Sequence, residues 1–134
     1  MNPYYPLVAE RAAHRCEYCH APELIFNVPF EVDHIIPISK DGTDDPSNLA
    51  LSCRACNLRK SNVVTAVDPT TNITTPLFNP RQHNWEDHFQ PQLESPFRLI
   101  GKTEIGRATI EQLRMNAPLQ LVARSQWVML GIFP

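Results

Sequence analysis

Four cysteines in two C-x-x-C pairs, Cys16-Glu17-Tyr18-Cys19 and Cys53-Arg54-Ala55-Cys56, constrain this chain more than any other feature, and it contains no others. Two such pairs can bring four thiolates to one tetrahedral zinc at about 2.3 Å each, whereas a redox motif needs only one pair. The 33 residues between Cys19 and Cys53 exceed the roughly 15–20 of an ordinary zinc ribbon. A folded insert is therefore expected between the two knuckles. Four thiolates leave no open coordination position, so the implied zinc is a structural staple whose binding energy is folding energy.

At 134 residues the chain has room for one small domain with an appendage. No apolar run approaches the roughly 20 residues of a membrane helix. The start, Met1-Asn2-Pro3-Tyr4-Tyr5-Pro6, has neither the basic nor the apolar segment of a secretory signal, which points to a cytoplasmic, reducing setting and no membrane partner. A formal net charge of −2 argues against a protein that coats nucleic acid non-specifically. The charges are segregated, however: residues 1–46 are acidic, and residues 47–62 carry Arg54, Arg59 and Lys60 without an acid. Acid beside base suits a site that holds a divalent cation and meets a phosphate.

The local signals predict an α+β fold. Pro6 opens a short helix that delivers the chain to Cys16. Alternation over Phe30 to Ile35, with Val32 and Ile35 or Ile36 inward, predicts a strand. Ser39 to Ser47 is a loop of turn formers, Asn48 to Ser52 a return strand, and Arg54 to Val64 a helix. Residues 1–67 make up this core, and residues 68–134 are expected to pack on it. Within that second part, Asp68 to Pro96 reads as an ordered wrap without regular elements, followed by a strand at Phe97 to Ile100. A helix capped by Thr103 comes next, then one opened by Pro118 that buries Leu119, Val122 and Trp127.

Strand, loop, strand and helix bring Asp33, His34, Asn48 and Asn57 to one surface. Asp33 and Asn57 supply the hard oxygen donors that Mg²⁺ or Mn²⁺ prefers, and a neutral imidazole can take a proton from water. Arg54, Arg59 and Lys60 are placed to touch flanking phosphates. With four cysteines available, His14 and His20 are not expected to bind zinc, and His83 and His88 are assigned to packing.

Glu31-Val32-Asp33-His34-Ile35-Ile36-Pro37, Gly42, Asn48-Leu49, Leu51, Cys53-Arg54-Ala55-Cys56-Asn57 and Lys60 resemble the HNH endonucleases. The match is to the branch whose ββα-metal core is stapled by two zinc knuckles, and it covers about residues 10 to 64. The tail, including Leu77 to Arg81 and Trp85 to Phe89, is similar to the C-terminal part of small bacterial stand-alone members. The resemblance implies a DNA phosphodiesterase with His34 as general base and Asp33 and Asn57 as ligands of one catalytic Mg²⁺ or Mn²⁺. It implies that Asn48 braces the loop and orients the imidazole, and that products carry 5′-phosphate and 3′-hydroxyl ends. Asn57 stands where the family name places a final histidine, which favours a harder metal ion. A targeting protein could supply sequence choice. The competing reading is a zinc-stapled nucleic-acid-binding or adaptor module that keeps the fold without turnover.

Overall fold

A computed structural model describes all residues from Met1 to Pro134. The chain begins with α1 (Tyr5–Arg11), which has Pro6 in its first turn and Arg11 at its negative end. Val8 and Ala9 of α1 are buried. Strands β1 (Glu31–His34) and β2 (Leu49–Ser52) then pair antiparallel, with Asp33 opposite Ala50 and His34 opposite Leu49. All four residues of β2 are buried, so this strand is the centre of the core. Helix α2 (Arg54–Lys60) follows at once, completing the predicted order of strand, loop, strand and helix.

Two expectations for this region need correction. Helix α2 ends at Lys60, not Val64, because Ser61 turns to positive φ and the β-branched run Val63 to Thr65 leads into β3 (Thr65–Val67). On β1 the fully buried residue is Asp33, Val32 is half-buried against the core, and Ile36 is exposed whereas Ile35 is buried. Strand alternation set the spacing correctly, but α2 covers the face that carries the acid.

The second half is more regular than a wrap. Strand β3 pairs with β4 (Thr74–Pro76), and α3 (Trp85–His88) precedes β5 (Phe89–Pro91). Strand β5 pairs with β6 (Leu99–Gly101). Helix α4 (Glu104–Gln112) is capped by Thr103, whose Oγ1 accepts the Gly106 N–H at 3.0 Å. Gly106 itself lies against the His88 carbonyl, where a Cβ would come within 2.1 Å of the oxygen. Helix α5 (Pro118–Met129) opens at Pro118 as predicted, but Leu119 and Val122 are exposed. Its inward face is Trp127 and Arg124, whose guanidinium donates to the carbonyls of Phe97 and Met115. Two carbonyls outside regular elements thus find their partner in a buried guanidinium.

The two halves are tied by polar contacts. Arg81 pairs with Glu17 beside the first knuckle. The Trp85 indole N–H donates to the Tyr18 carbonyl at 2.8 Å, and the Trp85 ring stacks on His20 at 3.8 Å. Gln112 donates to the Arg59 carbonyl. No helix is long and apolar enough to cross a membrane.

Candidate functional site

The four cysteine sulfurs converge as their spacing predicted. All four Sγ atoms lie within 4.8 Å of one another and all four residues are buried. Cys19 and Cys53 sulfurs are 3.7 Å apart, against about 3.8 Å for two corners of a tetrahedron with 2.3 Å zinc–sulfur bonds. Cys53 also caps α2, its sulfur accepting the Cys56 N–H at 3.4 Å. Contact with the Cys16 thiol pushes the Cys19 and Cys56 thiols well up. A buried set of four thiols cannot all ionise without a cation among them, and a soft tetrahedral set of this kind suits Zn²⁺. No histidine joins it: His14 Nδ1 is 2.6 Å from Glu23 Oε1, and His20 is stacked on Trp85. His83 Nδ1 accepts the Asn79 N–H, and His88 Nδ1 lies 2.6 Å from Thr103 Oγ1.

Strand β1 and helix α2 face each other in two rungs. Residues two apart on a strand share a face, as do residues three apart on a helix. In the first rung, Asn57 Nδ2 donates to Glu31 Oε2. In the second, the Lys60 ammonium lies 3.2 Å from Asp33 Oδ2 and also donates to the carbonyls of His34 and Ile35, both at 3.1 Å. Tyr18 Oη donates to Asp33 Oδ2 at 2.7 Å. Burial holds the Asp33 carboxyl above the usual carboxylate range, with the Lys60 charge and the Tyr18 hydroxyl opposing it.

This arrangement corrects the expected phosphate contacts. Lys60 is only 1% exposed, so its ammonium neutralises Asp33 and cannot reach a DNA backbone. Arg59 is turned to the C-terminal half, where Nη1 donates to the carbonyls of Leu113 and Arg114 at 3.3 and 3.0 Å. These carbonyls follow α4, where the helix dipole also favours a cation. Arg54 is the most open of the three, its side chain 75% exposed and 3.1 Å from Glu31 Oε1. Lys60→Ala should destabilise the fold by about 3–5 kcal/mol, because it strands Asp33 as a buried acid without its counter-charge. Denaturant unfolding checks this, and a midpoint equal to wild type would contradict the assignment.

His34 ends β1 with its side chain 27% exposed, and its Nε2 is 2.7 Å from Asp44 Oδ1. Asn48 sits at the end of a 3₁₀ turn, Pro46–Asn48. Its Oδ1 accepts the Ile36 N–H at 2.8 Å, and its Nδ2 donates to the carbonyls of Ile36 and Thr43 at 3.0 and 2.9 Å. Asn48 therefore closes the loop and makes no hydrogen bond to the imidazole. Sequence reading missed Glu31 and Asp44. The strand alternation could have flagged Glu31, two residues before Asp33; only loop closure brings Asp44 to His34.

Glu31, Asp33 and Asn57 each offer a hard oxygen donor of the kind that Mg²⁺ or Mn²⁺ takes, Glu31 and Asn57 in one rung and Asp33, already paired with Lys60, in the other. A half-turn of the Asn57 carboxamide exchanges its NH₂ for Oδ1 beside Glu31. These donor types suit a hard divalent cation, and Lys60 already neutralises part of the charge on Asp33. Residues 16–63 match the family model described as HNH endonuclease. No match was found among curated proteins or among solved structures.

Proposed function

We propose that this chain, which carries an HNH endonuclease domain over residues 16–63, is a metal-dependent endonuclease that hydrolyses DNA phosphodiester bonds. The observation that carries the reading is the position of His34: at the end of β1, reaching solvent, next in sequence to Asp33 and within the matched segment. The imidazole serves as general base and takes the proton of the attacking water. Asp33 and Asn57 would hold the catalytic Mg²⁺ or Mn²⁺, with Glu31 in contact with Asn57. When bound, the cation supplies charge neutralisation at the phosphate and stabilises the leaving oxygen. Asn48 keeps the loop closed beside the imidazole, and exposed Arg54 offers a charge-assisted contact to a flanking phosphate. Cys16, Cys19, Cys53 and Cys56 would hold a zinc that ties β2 and α2 to the first knuckle and takes no part in the chemistry.

Conversion of supercoiled plasmid to nicked or linear form tests this directly. Cleavage is expected with Mg²⁺ or Mn²⁺ and absent in EDTA. Purified protein that carries zinc and yet leaves plasmid, linear duplex and single-stranded DNA intact with either ion would favour the non-catalytic adaptor module instead. The reducing, cytoplasmic setting belongs to the same proposal, since four free thiolates are required for the staple.

A further inference from the structure

The loop between β1 and β2 folds back over the strand end and delivers a carboxylate to the imidazole. Asp44 Oδ1 lies 2.7 Å from His34 Nε2, although Asp44 is ten residues away in sequence and its side chain is 65% exposed. An exposed loop acid is ordinarily free to wander, but both neighbours of Asp44 are anchored. The Thr43 carbonyl accepts a hydrogen bond from Asn48 Nδ2 at 2.9 Å. Asp45 Oδ1 accepts from the Ser47 N–H at 2.9 Å and from the Ser47 hydroxyl at 2.7 Å. Asn48 grips Ile36 as well, two residues beyond His34. Gly42 completes the closure, its N–H donating to the Pro37 carbonyl at 2.9 Å. A Cβ on Gly42 would sit 1.7 Å from the Ile36 carbonyl oxygen.

We propose that Asp44 is the positioning residue of the His34 imidazole, and that Asn48 acts on the imidazole through the loop that presents Asp44. The inference rests on reading His34 as the base. An ionised carboxylate only accepts hydrogen bonds, so Nε2 must carry a hydrogen, and in the neutral ring Nδ1 then keeps its lone pair. Nδ1 is then the nitrogen free to accept the proton of the attacking water, and the imidazolium formed after transfer is stabilised by the carboxylate. Exposure of Asp44 limits the size of the effect.

The test combines kinetics with ring ¹⁵N NMR on the full chain. Asp44→Ala should lower kcat about twofold to fivefold, the scale of an exposed charged pair, with KM and zinc content unchanged. Asp44→Asn, which retains an oxygen acceptor, should recover most of that loss. Asn48→Ala should lower kcat too, and adding Asp44→Ala to it should cost little more, because the two act in series. In wild type the His34 Nε2 should be protonated and Nδ1 bare, and Asp44→Ala should lose the hydrogen-bonded Nε2–H signal. Wild-type kcat in Asp44→Ala together with an unchanged ring signal would overturn the inference and leave the nuclease reading standing. If wild-type protein fails to cut DNA, the nuclease reading falls, and the ring signals decide Asp44 alone: a wild-type His34 protonated on Nδ1 overturns its positioning role.

Discussion

Replacing His34 with alanine is expected to lower plasmid cleavage about 10²- to 10⁴-fold, the range of a single general base, while zinc content and the melting curve stay at wild-type values. The side chain is partly open to solvent and its one side-chain partner is the exposed Asp44. Truncation therefore removes little packing and leaves no buried group unpaired. Lys60 bonds to the His34 backbone carbonyl, which alanine retains. A loss of activity accompanied by unfolding would assign His34 to the fold. Undiminished cleavage by the variant would mean that another group takes the proton or that a contaminant does the cutting.

The largest effect on stability is expected at the cysteines. Cys53→Ser should abolish stoichiometric zinc binding and leave a chain without a cooperative unfolding transition. Structural zinc binding contributes about 10–16 kcal/mol, whereas a domain of this size is stable by only about 5–15 kcal/mol. Losing most of the first quantity is comparable to the whole of the second. Serine is the informative replacement because it is among the best helix N-caps. The hydrogen bond from the Cys56 N–H can survive, and the deficit is then assigned to the missing thiolate. Chelator treatment of wild-type protein should reproduce the loss and added Zn²⁺ should reverse it. A cooperative, wild-type melting transition in Cys53→Ser would show that the remaining core, with Leu49, Ala50 and Leu51 fully buried, suffices without the staple.

The difference between Asp33 and Arg54 shows which kind of inference survives folding. Both were placed by spacing on the correct element, Asp33 on β1 and Arg54 on α2. Spacing does not say how far an element is covered. Asp33 is 6% exposed because Tyr18 and Lys60 close over it, whereas Arg54, one turn before Asn57, stays in solvent. Arg59 and Lys60 are adjacent in sequence and serve two different neighbours, the carbonyls beyond α4 and the acid of β1. Their long flexible stems allow a charged group on a helix to be drawn inward wherever unpaired carbonyls or a buried acid lie within reach.

The amino-acid sequence alone determined the four-thiolate cluster, the strand–loop–strand–helix order and the place of His34 at a strand end. The first depends on the demand of four thiolates for one shared cation, which names its partners at any separation along the chain, and the others on turn-forming residues and short-range periodicity, which act over a few residues. Tertiary structure alone decided that Asp33 pairs with Lys60, that Glu31 adjoins Asn57, that Arg59 ties the halves together and that Asp44 meets His34. Each of these pairings joins residues brought together by chain closure, and which partner a charged side chain finds is set by the surfaces that packing leaves uncovered.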